Sequence, residues 1–301
     1  MTQHSGKLAN AASGMGKQKH KMNEEFHKEG SVRGVNQFFP KRPKRPILIC
    51  FTAFFSVLLV FSLFMVLRSG WQRSMEQQAF EELRRKVTLP AAPQQTRVDS
   101  PVSQGEDKTE AYVSPYIELY RENPDCVGWL TIANTDIDYP VMYTPQEPQF
   151  YLHRAFDRTE SQSGVPFIGA GCDLDSGCVI IYGHNMKNKT MFGTLDRYED
   201  VEFWQENPIF LLYTAQEERQ YEVFAVLKTQ IPSVGASEFR YYDYAGNPSE
   251  ADFNDLVSGL TALSIYDTAI SPGFGEQILM LSTCSYHTEN GRFVVAARRI
   301  E

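Results

Sequence analysis

A cysteine, a histidine and an arginine lie within nine positions of one another near the end of the chain, in "LSTCSYHTENGRF" at residues 281–293. They are Cys284, His287 and Arg292. A thiolate can attack a carbonyl carbon, and a nearby imidazole can move the protons that the attack requires. A guanidinium stays charged and can stabilise the resulting oxyanion. These residue types indicate acyl transfer through a cysteine, but their spacing does not identify the histidine that serves it.

The strands around this segment favour contact between Cys284 and Arg292. "QILMLSTC" and "GRFVVAAR" have the composition of strands, and "SYHTENG" joins them as a hairpin connection. A symmetric connection puts Cys284 opposite Arg292, and directly opposed residues share a face with Cβ atoms about 4.5–5.5 Å apart. His287 lies in the connection, where continued strand geometry would turn it to the other face. A loop can bend back, so His287 stays a weaker candidate rather than an excluded one.

An apolar segment divides the chain into two parts. Residues 47–67 are 21 residues without a charge, which form about 30 Å of helix and can span a bilayer. A signal peptide would begin nearer the N-terminus and carry an A-x-A cleavage pattern, so an uncleaved single-pass anchor is expected. A buried core helix is the less favoured alternative. Basic residues abut its N-terminal end and predict a cytoplasmic N-terminus and an extracellular catalytic domain: Lys41, Arg42, Lys44 and Arg45.

Charge and composition predict four regions. Residues 1–46 carry 10 Lys and Arg against 3 Asp and Glu, and the rest carries 19 against 34. We expect 1–46 to be a basic, disordered cytoplasmic tail that contacts lipid head groups, and 47–67 to be the transmembrane anchor. We expect residues 68–110 to form a stalk and linker. An apolar stripe runs along its first part and comprises Trp71, Met75, Ala79, Leu83 and Val87. Residues 111–301 have the composition of a compact domain, which contains Cys284 and Arg292.

The catalytic region is mainly β. Eight short candidate strands indicate a barrel or a sandwich; they are 127–132, 137–143, 164–169, 178–183, 209–214, 220–229, 277–284 and 292–298. One helix is predicted at 248–263, within the long insertion before the cysteine strand, and its apolar face comprises Phe253, Leu256, Val257, Leu260 and Leu263. Insertions of this kind often carry substrate-binding elements.

Two further histidines belong to this region. His184 follows the apolar run "CVIIY" through Gly183, at the end of a predicted buried strand where a side chain can be held rigidly. A buried, hydrogen-bonded structural histidine is an equally weighted reading of His184. His153, in "FYLHRAF", lies among bulky neighbours and favours a surface or packing role.

Four blocks, in this order, give the chain a resemblance to the class B sortases. They are "YGHNM", "MFGTLDRY", "LSTC" and "GRFVV", and the similarity extends over residues 112–300. The resemblance implies an eight-stranded sortase-type β-barrel with N-terminal helices and a helix inserted before the cysteine strand, preceded by a single transmembrane helix. It assigns the catalytic cysteine, histidine and arginine of the family to Cys284, His184 and Arg292, and it assigns no role to His287.

The resemblance also implies the reaction. Class B sortases cleave an NPxTx-like sorting signal near the C-terminus of secreted proteins after the threonine. They transfer the protein to an amine of the peptidoglycan precursor, without a cofactor or a metal. The expected partners are therefore secreted proteins with this signal, the cell-wall amine and the lipid bilayer, and no nucleic acid. We expect Tyr182, Ser282, Thr283 and Ser285, close in sequence to the catalytic residues, to bind substrate, although strand packing is the favoured role of Thr283.

Cys172 and Cys178 depart from the family pattern. They flank a five-residue turn and predict either a hairpin disulfide or two free thiols. Two alternatives to the cell-wall transpeptidase remain: a pilin-polymerising sortase of the same chemistry, and a non-catalytic, membrane-tethered module that binds or senses redox state through its thiols. A papain-like hydrolase is less favoured than either, because its histidine follows its cysteine and its cysteine signature is absent.

Overall fold

The computed structural model describes residues 45–87, 112–232, 238–285 and 288–300. Three predictions fall outside the described residues: the disorder of most of the basic tail, the linker that follows residue 87, and the position of His287. The chain divides into two units, one ending at Leu63 and one beginning at Phe64.

The predicted anchor lies in a long helix, α1 (Arg45–Lys86). Within the described residues it is the one helix that is long and apolar enough to cross a membrane, judged by length and composition. The end of α1 belongs to the second unit, and Phe80 and Leu83 are buried within that unit. Of the predicted apolar stripe, Leu83 is buried, but Trp71 and Met75 are 69% and 51% exposed. A spacing of four residues drifts by about 40° per step around an α-helix, so such a stripe cannot follow one face for long.

Eight strands form a closed barrel in the order β1-β2-β3-β4-β7-β8-β6-β5. The predicted mainly β fold is confirmed, with all eight strands at their expected places. Their bounds are β1 (Cys126–Thr131), β2 (Asp138–Met142), β3 (Phe167–Ile168), β4 (Cys178–Tyr182), β5 (Ile209–Tyr213), β6 (Glu218–Gln230), β7 (Ile278–Cys284) and β8 (Gly291–Arg299). Most neighbours are antiparallel, but β4 runs parallel to β7, and β2 to β3.

Short helices complete the second unit. They are α2 (Ile117–Glu122), α3 (Val201–Glu206) and α4 (Glu250–Ala262), with 3-10 helices at Phe150–His153, Phe192–Glu199 and Tyr241–Tyr244. The inserted helix α4 begins at the cap Ser249, whose Oγ accepts the Asp252 N–H. It buries four of its five predicted apolar residues, whereas Leu263 lies beyond the last turn and is 45% exposed.

Alternate residues of β4 pack on opposite sides of the sheet. Val179 and Ile181 belong to one hydrophobic cluster, and Cys178 and Ile180 to a second cluster that contains the apolar face of α4. Because a strand projects successive side chains to opposite faces, β4 is covered on both sides and is fixed in position. The end of β4 is therefore a rigid support for the residues that follow it.

Candidate active site

The parallel pair β4 and β7 brings His184 beside Cys284. Every paired residue of β4 faces the residue one hundred positions later, from Cys178 and Ile278 to Tyr182 and Ser282. The pairing continues past the end of β4, since the Gly183 N–H donates to the Ser282 carbonyl at 3.2 Å. Neighbouring strands lie about 4.8 Å apart, and residues level with one another in a parallel pair share a face. The same register, carried two residues further, sets His184 level with Cys284.

Two side-chain hydrogen bonds hold these strand ends together. Thr283 Oγ1 donates to the Gly183 carbonyl at 2.6 Å. Asn185 Nδ2 donates to the Cys284 carbonyl at 2.9 Å. The backbone on both sides of His184 is therefore tied to the backbone of the cysteine strand.

Arg292 lies on the other side of Cys284. Cys284 and Arg292 are directly paired across the antiparallel strands β7 and β8, as the sequence predicts. The Arg292 Nη1 donates to the Gly291 carbonyl at 3.0 Å, which leaves other N–H groups of the five-donor guanidinium to meet a ligand. Cys284 is exposed, whereas His184 and Arg292 are half-buried. Three adjacent strand ends thus present a histidine, a cysteine and an arginine in a row.

A backbone carbonyl fixes the tautomer of His184. Its Nε2 lies 2.8 Å from the Leu152 carbonyl oxygen. A carbonyl oxygen can only accept, so Nε2 carries the proton and the neutral ring has its lone pair on Nδ1. Burial lowers the pKa of His184, the Leu152 bond opposes this effect, and the neighbouring His153 lowers the pKa further. The free imidazole therefore favours its neutral form, with Nδ1 as the atom that can take up a proton.

The rings of His153 and His184 lie side by side in a tilted arrangement, with centroids 5.4 Å apart. It is exposed and lies at the end of the 3-10 helix Phe150–His153, which also contains Leu152. The predicted surface position of His153 is thus found, but the side chain also faces the candidate catalytic histidine.

A cavity of about 890 Å³ opens beside Arg292. Its walls include Leu152 and three tyrosines, Tyr182, Tyr241 and Tyr242. The rest of the lining includes Gln146, Glu147 and Gln149, so aromatic and apolar surface is combined with a few polar groups, which suits an extended peptide. The sequence analysis missed Tyr241 and Tyr242, although the run "FRYYDY" in the insertion before β7 was an available signal.

The four predicted substrate-binding residues have different surroundings. Tyr182 lines the cavity. Ser282 is buried, and its hydroxyl is hydrogen-bonded to the Tyr241 hydroxyl at 2.7 Å. Thr283 is also buried and uses its hydroxyl for the strand contact already described. Ser285 is half-buried, and its N–H donates to the Gly291 carbonyl at 2.9 Å.

The remaining cysteines within the described residues are free thiols in different settings. Cys172 packs with the hydrophobic cluster of Val179, whereas Cys178 packs with the cluster of α4 on the other face of the sheet. Burial raises the pKa of Cys172, and it raises the pKa of Cys178 to about 12. Cys126 is also fully buried, while Cys50 is exposed on the apolar part of α1.

Comparison with known proteins identifies the same family throughout. A family model described as a sortase domain matches residues 130–300, more than half of the chain. Sortase B of Listeria monocytogenes is 32% identical over 188 residues, covering 61% of this chain and 73% of that protein. The Clostridium perfringens sortase B structure has a TM-score of 0.56 and 29% identity, covering 62% of this chain and 99% of that one. A Staphylococcus aureus sortase B–substrate complex has a TM-score of 0.55 and 26% identity, covering 63% and 87% of the two chains.

Proposed function

The chain belongs to the sortase family as a cysteine transpeptidase of class B, and we propose that Cys284, His184 and Arg292 are its catalytic residues. The substrate that we propose is a secreted protein with an NPxTx-like signal, cleaved after the threonine and transferred to an amine of the peptidoglycan precursor. Two observations support the proposal: Cys284 is paired directly with Arg292, and the β4–β7 register, carried two residues beyond Tyr182 and Ser282, sets His184 level with Cys284.

The first half-reaction forms a thioester. Cys284 Sγ attacks the threonine carbonyl carbon while its proton passes to His184 Nδ1. The tetrahedral oxyanion develops on the side of Cys284 where Arg292 lies, and the guanidinium stabilises it. When the intermediate collapses, the C–N bond breaks and the departing nitrogen takes the proton from the imidazolium. The new thioester holds the secreted protein on Cys284.

The second half-reaction transfers the protein to the cell wall. Neutral His184 accepts a proton from the incoming amine as its nitrogen attacks the thioester carbon. Collapse breaks the C–S bond, the imidazolium returns its proton to sulfur, and a new amide remains. One histidine atom, Nδ1, can serve both halves because the Leu152 carbonyl keeps the other ring nitrogen protonated throughout.

The cavity beside Arg292 is the proposed binding groove for the sorting signal. The tyrosines that line it, Tyr182, Tyr241 and Tyr242, offer apolar contacts to an extended peptide. The Staphylococcus aureus relative of similar fold, solved as a substrate complex, supports a substrate-binding role for this type of barrel. For Ser282 and Thr283 we propose that the substrate contact is through backbone groups, since their hydroxyls already have partners.

We propose that α1 anchors the enzyme as a single-pass membrane protein, with its N-terminus in the cytoplasm and its catalytic domain outside. The apolar segment of α1 and the basic residues before it support this orientation. Pilin polymerisation would use the same three residues and a lysine as acceptor amine. The thiol-sensing alternative has little support, because Cys172 and Cys178 are buried in different hydrophobic clusters and burial raises the pKa of each.

Peptide cleavage by four variants tests the assignment. Cys284→Ala is expected to abolish cleavage of an NPxTx-type peptide and the capture of a thioester-linked acyl-enzyme. His184→Ala is expected to lower the rate by about 10²–10⁴-fold, the range that acid–base catalysis contributes. Arg292→Lys is expected to be harmful, because a point charge does not replace the planar guanidinium. His287→Ala serves as the matched control and is expected to keep most activity.

Two results would overturn parts of this assignment. Equal losses from His184→Ala and His287→Ala would remove the basis for choosing His184. Rapid turnover by Arg292→Lys would show that the guanidinium geometry is not required.

A further inference from the structure

The carboxylate of Glu76, in α1, is hydrogen-bonded to the loop at residues 161–163. Glu76 accepts hydrogen bonds from Ser161 Oγ and from the Gln162 N–H, each at 3.1 Å, and a third from Ser163 Oγ. Its side chain is half-buried, whereas Glu82, two turns nearer the end of the same helix, is exposed. Charged acceptors make stronger hydrogen bonds than neutral ones, so three such bonds fix the loop firmly on the helix.

The same loop is hydrogen-bonded to residues 151–153, the segment whose Leu152 carbonyl binds His184. The Ser161 N–H donates to the His153 carbonyl and the Val165 N–H donates to the Tyr151 carbonyl, each at 3.1 Å. These two bonds lie on either side of Leu152, whose carbonyl accepts the His184 Nε2 proton. The loop therefore supports the residue before Leu152 and the residue after it, and so determines where the Leu152 carbonyl points.

Gly164 shows how closely the loop approaches that carbonyl. A Cβ at this position would lie 2.5 Å from the Leu152 oxygen, and the backbone has a φ of +59°. Both conditions favour glycine. The Gly164 N–H also donates to Ser161 Oγ at 3.2 Å, the hydroxyl that Glu76 accepts from. A short chain of hydrogen bonds and contacts thus runs from Glu76 through Ser161 and Gly164 to the Leu152 carbonyl.

We propose that Glu76 is a positioning residue for the reaction, which acts by holding the Leu152 carbonyl against His184 and so keeping the proton on Nε2. This inference rests on the proposed catalytic role of His184. It makes the end of α1 a part of the catalytic apparatus in addition to its place in the anchor helix. Without the Glu76 hydrogen bonds, the loop and Leu152 become more mobile. The His184 ring then samples both tautomers, and Nδ1 is less often available as the base.

The test compares Glu76→Ala, Glu76→Gln and the control Glu82→Ala in the full chain in detergent or nanodiscs. The first readout needs no substrate: NMR of ¹⁵N-labelled histidine reports which ring nitrogen of His184 carries the proton. Wild type and Glu82→Ala are expected to show the Nε2–H tautomer, and Glu76→Ala a mixture. Glu76→Gln keeps an acceptor oxygen and is expected to fall between them.

The second readout is cleavage of an NPxTx-type peptide. Glu76→Ala is expected to lower kcat on the order of tenfold or more, since small misplacements of a catalytic group have effects of this size or greater, while KM changes little. The limb of the pH profile that His184 controls is expected to move to lower pH, because the Leu152 bond raises the pKa of His184 and its loss lowers it.

Thermal melting and the catalytic variants make the outcome decisive. A lower melting temperature with an unchanged tautomer and pH profile would reduce Glu76 to a structural residue and overturn the proposal, as would wild-type behaviour of Glu76→Ala. If Glu76→Ala does not fold, Glu76→Gln decides by the same readouts. If His184→Ala itself retains activity, the catalytic assignment fails; if His184→Ala is inactive and Glu76→Ala is normal, only the role of Glu76 fails.

Discussion

The ring of His153 lies beside the ring of the candidate catalytic histidine, His184. The two rings are 5.4 Å apart and tilted by 33°. Burial is the main cause of the lowered pKa of His184, and the charge of His153 adds to it. A neutral His184 suits a residue that must first accept a proton, so His153 adjusts the pH range over which the base is available.

Replacing His153 separates the effect of its charge from that of its ring. His153→Phe keeps a ring over His184 but removes the charge, and we expect the pKa of His184 to rise. His153→Lys keeps a positive charge and is expected to leave the pKa low. Histidine NMR titration, or the pH dependence of kcat/KM, measures the shift. A pKa that stays unchanged in His153→Phe would mean that burial alone sets it.

At the scale of elements, the site depends on one parallel strand pair. The sequence predicts all eight strands because each has a local pattern, and it predicts the pairing of Cys284 with Arg292 because β7 and β8 are joined by a short connection. It does not predict that β4 lies beside β7, since nothing local links strands so far apart in the chain. The choice of His184 over the other histidines therefore rests on the family resemblance. The sequence does not single out Tyr241 and Tyr242, because their 3-10 helix has no strong periodic pattern.

The burial of Cys172 and Cys178 in different hydrophobic clusters leads to a redox prediction. Because the two thiols belong to different hydrophobic clusters, we expect them to remain free in an oxidising environment. Alkylation under denaturing conditions without a reductant is expected to label all five cysteines of the chain. Mass spectrometry counts the labels, and the same reaction after reduction is the control. Two additional labels that appear only after reduction would demonstrate the disulfide.

At the scale of the whole molecule, the catalytic unit extends back into the anchor helix. The second unit begins at Phe64, and Arg84 of α1 donates to the carbonyls of Asp136 and Asp138 at 3.0 and 3.1 Å. Phe80 and Leu83 are buried beside these contacts. Composition places the start of the domain at residue 111, because the segment before it has the composition of a linker. That boundary omits the end of α1, which packs on the barrel.

Two truncated chains test this boundary. A chain that begins at residue 64 retains the docked part of α1, whereas one that begins at residue 88 loses Phe80, Leu83 and Arg84. Each buried large apolar side chain contributes about 1.5–3 kcal/mol. Phe80 and Leu83 together then contribute about 3–6 kcal/mol, and at about 2–4 °C per kcal/mol we expect the shorter chain to melt about 6–24 °C lower. Calorimetry measures the difference, and equal melting temperatures would show that the docked helix does not stabilise the barrel.

The parallel pairing of β4 with β7 also has a consequence for folding. The two strands are separated by 95 residues of chain, yet their ends must meet before the proposed base His184 can reach the proposed nucleophile Cys284. Contacts between distant parts of a chain form slowly, because closing the intervening loop costs entropy before the contacts form. If the proposed roles hold, Cys284 has no base until β4 has paired with β7. We therefore expect activity to recover during refolding only as this pairing forms, and the recovery of activity then measures the rate of barrel closure.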